Sequence, residues 1–183
     1  MSNTSATGGY LTPAGTAAPA EDVELEDILQ GMVKGITALS GPMVRPRWQP
    51  GNPKQPEPTD NWCAIGVSNS KSDANPSITH DGGGDGAERY SRHEAFTVLA
   101  SFYGPQSQGF AGLLRDGIFI PQNREALRVH RVAFVSASEV KPVPELVNQQ
   151  WIRRYDLFLE MRRQIVRTYP VLNILSAEIS IVD

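Results

Sequence analysis

Residues 153–169 read RRYDLFLEMRRQIVRTY, and whether they form a helix or a strand decides the fold. At period two, Tyr155, Leu157, Leu159, Met161 and Ile165 share one face, interrupted by Arg163. The other face carries Arg154, Asp156, Glu160, Arg162 and Gln164, with Phe158 and Val166 among them. At the helical period, Ile152, Tyr155, Leu159, Arg162 and Val166 make a poorer stripe that leaves out Leu157 and Met161. The stretch therefore reads as a strand with one core face and one face of alternating charge.

Outward from it, the chain alternates between helix and strand signals. Residues 1–20 hold Ser, Thr, Gly, Ala and Pro with almost no large apolar side chain, which predicts a flexible arm. From Glu21 the pattern changes: Leu25, Ile28, Leu29, Met32, Ile36 and Leu39 recur at spacings of three and four. Acidic residues crowd the start of this helix, and Gly41-Pro42 is expected to stop it. Gly31 and Gly35 inside it are expected where the backbone presses against a sheet. Val44–Trp48 reads as a short edge strand, because five prolines between Pro46 and Pro58 exclude a central one.

NWCAIGVSNS (61–70) reads as a strand with Trp62, Ala64 and Gly66 on one face and Cys63, Ile65 and Val67 on the other. KSDANPSITHDGGGDGAE (71–88) is expected to be a mobile loop, and ERYSRHEAFTVLASFYG (88–104) a long strand. A short helix with Phe110, Leu113 and Leu114 on one face follows, then a helical turn opened by Pro121. RVAFVSA (131–137) is a short strand, SEVKPVPELVNQQ (138–150) a loop, and LNILSAEISIV (172–182) a final strand. The sum is an α+β fold, a mostly antiparallel sheet with helices packed on one face. Residues 21–183 are expected to form a single domain.

Composition narrows the function classes. The chain has 183 residues, 40% hydrophobic and 20% charged, with a formal net charge of -3. An acidic balance argues against a protein whose main work is coating nucleic acid. The single cysteine, Cys63, has no partner within the chain for a disulfide, which fits a reducing compartment. No segment has the run of about 18 apolar residues that a membrane helix needs, and the N-terminus lacks the pattern of a secretory signal.

Chemistry-bearing motifs are sparse. His80, His93 and His130 lack ligand spacing, and His80-Asp81 beside a glycine loop reads as a loop histidine rather than a metal site. DGGGDG (81–86) is one copy without the flanking repeat of a calcium loop, and it lacks the lysine and threonine of a phosphate cradle. No nucleophile elbow occurs, and Cys63 among apolar neighbours reads as a core thiol. Glu88, Arg89, Arg92, His93 and Glu94 split onto both faces of a strand, so a His93–Glu94 hydrolase centre would have no nucleophile. No cofactor, metal or enzymatic activity is expected.

The charged face of 153–169 carries the functional signal. Opposite charges on one strand face stabilise each other by about 0.2–1 kcal/mol each, and they fit either a solvated face or a subunit interface. Phe158 and Val166 on that face favour the interface. Arg154, Asp156, Phe158, Glu160, Arg162 and Val166 are therefore the candidate contact residues. A nucleic-acid platform would want stacking aromatics without interleaved carboxylates.

The blocks DNWCAIGV (60–67), ERYSRHEAFTVLASFYGPQSQGFAGLLRDGIFIPQNREALR (88–128) and QQWIRRYDLFLEMRRQIVRTYPVLNILSAEI (149–179) resemble the neck or tail terminator proteins of long-tailed, contractile-tailed bacteriophages. The likeness runs in order from Glu21 to Val182. It implies a virion protein, assembled in the host bacterial cytoplasm, that forms a ring, a hexamer, on the head-proximal end of the tail tube. That ring would end growth of tube and sheath and dock to the head–tail connector, with genomic DNA sliding through its lumen unbound. The proline loop at 51–59 and the glycine loop at 68–86 would then be contacts with tube, sheath or connector. Two other readings stand beside this one: another neck protein, such as a head- or tail-completion subunit, and a DNA-binding accessory protein using Arg153, Arg154, Arg162, Arg163 and Arg167.

Overall fold

The structure is a computed structural model that describes residues 3–49, 51, 53–147 and 149–174. It divides into two compact units: a larger one of Ala20–Ser72 and Glu94–Gln164, and a smaller one of Met1–Pro19, Asp73–His93 and Ile165–Asp183.

The larger unit is built on a sheet ordered β1–β2–β4–β9–β5, from β1 (Val44–Pro46), β2 (Trp62–Ser72), β4 (Ala87–Tyr103), β9 (Arg154–Tyr169) and β5 (Val132–Ala137). β4 and β9 also contribute residues to the smaller unit. The β1–β2 pair is parallel, whereas β2–β4 and β5–β9 are antiparallel. β1 ends in a proline, and β5 loses register between Phe134 and Ser136. A two-residue strand, β6 (Lys141–Pro142), pairs with β9, and β7 (Glu145–Val147) with β8 (Gln150–Ile152) forms a separate hairpin.

The opening stretch is thus a strand, as its alternation predicts. Leu157, Leu159 and Met161 are buried with Cys63, Ile65, Phe96, Val98, Ala100 and Phe102 on one sheet face. The helices cover that face: α1 (Asp22–Thr37) through Leu25, Leu29, Met32 and Val33, α2 (Ser107–Gly117) through Ala111 and Leu114, and α3 (Glu125–Val129) through Leu127. The α+β class with helices packed on the sheet is therefore the observed one.

Arg163, the residue that interrupted the apolar face, is turned inward and paired. Its Nε and Nη2 donate to Glu94 Oε1 at 3.0 and 2.9 Å, and its Nη1 donates to the Ala20 carbonyl at 2.6 Å. Ser72 Oγ donates to the other Glu94 oxygen at 3.1 Å, and the guanidinium lies 5.8 Å from the Phe96 ring centre. Both charged side chains are nearly buried, 11% and 12% exposed. Both oxygens of the carboxylate thus accept from a named donor, which is what a buried charge requires.

Several expectations are corrected. The first helix ends at Thr37, not at Gly41-Pro42, because Ala38 adopts the left-handed conformation (φ 59°) and its N–H closes on the Lys34 carbonyl. Gly31 and Gly35 are exposed, and a Cβ at either would meet nothing within 4 Å, so no sheet presses on them. Replacing both with alanine is expected to raise stability by about 1–2 kcal/mol, since each glycine costs about 1 kcal/mol relative to alanine in a helix; a denaturant midpoint shift measures it, and an unchanged midpoint would contradict it. Leu113 points outward, 54% exposed, leaving Ala111 and Leu114 as the buried contacts of α2.

The segment expected as one mobile loop contains the end of β2 and all of β3 (Ser77–Asp81). In the smaller unit β3 pairs antiparallel with Ala87–Ser91 of β4, so Gly82–Gly86 is a hairpin turn. Residues 138–150, expected as a loop, hold β6 and β7, short strands whose prolines hid them. In the smaller unit the N-terminal segment runs beside the end of β9: Ser5 N–H donates to the Pro170 carbonyl and Ala14 N–H to the Thr168 carbonyl. Asn173 bonds the carbonyls of Gly82 and Gly84, each at 3.1 Å, fixing the glycine turn. The expected final strand is not formed at residues 172–174, and its remainder lies outside the described residues.

Candidate interaction surface

Strand alternation that buries Cys63 and Ile65 under the helices turns Ala64 and Gly66 to the opposite face, where Arg45 is the partner of Ala64 in register. This second face is polar and ordered by arginines. Arg47 reaches across β2, and its Nη2 donates to Ser101 Oγ at 2.6 Å, while its Nε is buried without a hydrogen-bond partner. Trp62 stacks on Tyr103, ring centres 4.3 Å apart and 9° from parallel. The pair comes from directly opposed positions of β2 and β4.

Beside Tyr103 sits the first of the predicted contact residues. Arg154 lies 5.6 Å from the Tyr103 ring centre. Its Nε and Nη2 donate to both oxygens of Asp156 at 2.8 and 2.9 Å, and its Nη1 donates to Glu145 at 3.2 Å. The two residues are i and i+2 on one strand, so the fork of the guanidinium meets the carboxylate edge-on. That hydrogen bond to Asp156 holds the Arg154 guanidinium even further above the ordinary range, against the opposing effect of burial. Burial raises the Tyr103 phenol, and the Arg154 charge partly offsets it.

The other predicted positions are distributed as follows. Phe158 is half-buried and its backbone bonds Ser138. Glu160 is exposed and accepts from Thr97 Oγ1 at 2.9 and 3.1 Å. Arg162 is exposed opposite Ala133, and Val166 is buried. Arg154 and Asp156 satisfy one another inside the subunit, so what β9 presents outward is Arg162, Glu160 and part of Phe158.

Sequence reasoning missed a groove between β1 and the proline loop. It is lined by Arg45, Arg47, Trp48, Lys54, Trp62 and Tyr103 among others, and among the described residues by no carboxylate. Arg45 is held by two backbone carbonyls, Pro42 at 3.0 Å and Lys54 at 2.7 Å. Trp48 is 74% exposed. The signal was present as RPRW, three cation-or-aromatic positions in four residues beside a proline run.

Groups that could carry chemistry are engaged elsewhere. Cys63 is fully buried and burial pushes its thiol far up, which removes the thiolate that reactivity needs. His80 contacts Asn173 Oδ1 at 2.9 Å through Nε2. Among the described residues no three His, Cys, Asp or Glu side chains converge as a metal site, and no helix is long and apolar enough to cross a membrane.

A family model described as phage neck terminator protein matches residues 23–183, which takes in every described helix and strand apart from the first residue of α1. No curated protein matches the chain.

Proposed function

Since the chain belongs to the phage neck terminator proteins, a structural component of the virion neck, we propose that it caps the head-proximal end of the tail tube as a ring. The ring, a hexamer, ends tail polymerisation, the sheath included where the tail is contractile, and presents a docking face to the head–tail connector. Assembly takes place in the host bacterial cytoplasm, and the work is done by binding rather than catalysis.

The observation that carries the reading is the family match across residues 23–183. The fold supports it with a sheet whose two faces differ, one under helices and one lined by paired charges. A capping ring needs unlike surfaces, because heterologous contacts close a ring while its two ends meet different partners. The acidic balance of the chain suits a lumen through which DNA slides without sticking. The exposed row of β9, with Glu160, Arg162 and Phe158, serves as a contact with the tube or a neighbour. Arg162→Glu is expected to lower incorporation into tails by about tenfold, as reversing one interfacial charge costs about 1.4 kcal/mol or more. Unchanged circular dichroism together with normal incorporation would remove Arg162 from the contact.

An amber codon at Trp151 in the source phage tests the function itself. Headless tails of uncontrolled length are the expected product. Tails of normal length beside unjoined heads would move the protein to the connector side of the neck, and complete infectious particles would refute the structural role.

A further inference from the structure

Two arginines of the groove carry charge that nothing inside it neutralises. Arg45 is bonded to carbonyls and Arg47 to a hydroxyl, all neutral acceptors, and Arg47 Nε has no partner. The third cation, Lys54, pairs with Glu57 in the open, its side chain 87% exposed, where an ion pair is worth little. The aromatic surface of Trp48 stands exposed beside them. Such a groove fits an acidic element with an apolar residue in its midst.

The same unit carries one. The first turns of α1 hold Asp22, Glu24, Glu26 and Asp27, and none of these is ion-paired among the described residues. Partial burial and then the neighbouring Asp27 and Asp22 charges push the Glu26 carboxyl up, as expected of carboxylates crowded without a cation. Val23, in the middle of the run, is 68% exposed.

We infer that the groove of Arg45, Arg47, Trp48 and Lys54 receives the acidic first turns of α1 from a second copy of this chain. The inference rests on the ring reading and gives that ring its subunit contact. α1 packs on the core face of the sheet, whereas the groove opens on the other, and Trp48 stands between the groove and the chain's own Asp22 and Glu26. A contact between them is not its own two-fold mate; it is heterologous and repeats from copy to copy. Asp22, Glu24, Glu26 and Asp27 bring their carboxylates to the unneutralised arginines, and Val23 meets Trp48.

Cysteine cross-linking decides it, applied to the purified chain and to isolated tails. Val23→Cys combined with Gln55→Cys, both exposed positions, should give a ladder of covalent multimers on mild oxidation, while each single variant gives none. The native Cys63 is buried and does not compete. Adding Lys54→Glu should cut the ladder about tenfold, the equivalent of about 1.4 kcal/mol, and adding Glu24→Lys as well should restore it. A double variant without a ladder, or a ladder indifferent to Lys54→Glu, overturns the contact. Tails that contain the protein, end at normal length and give no ladder overturn the contact alone. Tails that lack the protein, while the purified chain gives the ladder, overturn the capping role alone. Duplex DNA retained by the chain and released by Lys54→Glu, with no ladder, would assign the groove to phosphate and overturn the inference.

Discussion

Arg163→Met should destabilise the larger unit by about 3–5 kcal/mol, the usual cost of leaving one member of a buried ion pair without its partner. The loss comes mostly from Glu94, which would keep its charge in a nearly buried site with only Ser72 still donating to it. The Ala20 carbonyl would lose its donor too. For a chain of this length the change corresponds to a fall of roughly 6–20 °C in melting temperature. The double variant Arg163→Met with Glu94→Leu removes both charges and should recover most of the loss, because apolar replacement of a whole buried pair is often neutral or better. A single variant that melts within 2 °C of the parent would show that the pair is not the anchor its geometry implies.

Gly104→Ala is the second large effect, expected at about 2–4 kcal/mol from backbone strain and overpacking together. Gly104 ends β4 with φ at +101°, a conformation that a Cβ penalises. A Cβ there would also collide with the Asp60 carbonyl and the Asn61 backbone just before β2, where the chain cannot yield without moving the start of the strand. Its N–H donates to the Arg153 carbonyl, so displacement would also disturb the entry to β9. Gly41→Ala is the matched control: no atom lies within 4 Å and φ is not positive, so its effect should stay within about 0.5 kcal/mol. Equal urea midpoints for the two variants would refute the argument from Gly104.

What the sequence made legible was the part with a strong period. The alternation of residues 154–165 fixed β9 and its core face, and the spacing of Leu25, Leu29 and Met32 fixed α1. Arg163 looked like a flaw in the pattern because its partner Glu94 is 69 residues away, a distance over which sequence carries no geometric signal. β3 was concealed because SITHD is exposed at every position, so no burial alternation marked it. β6 to β8 were concealed by their shortness and prolines. The glycines of α1 were misread because a helical glycine suggests close packing, while here that side of the helix is open. The strand face of Arg154 to Arg162 was read correctly as charged, but Arg154 and Asp156 answer each other on the same strand, which a list of alternating signs cannot distinguish from charges offered to a partner. The groove depends on Arg47 crossing β2 to Ser101, a contact between positions that share no local pattern.

The ends of the larger sheet have a consequence for timing. Under the proposed capping role the chain would have to wait, at rising concentration in an infected cell, for a finished tube, and that role would be defeated by spontaneous polymerisation. Open strand edges are the commonest route to it. Here β1 offers only three residues, the last a proline with no N–H to give, and β5 is broken by a bulge. Neither supplies the long regular row of backbone donors and acceptors that a foreign strand would need. In the proposed ring, copies would therefore join through side chains rather than through these two strand edges, which would leave their association sensitive to salt.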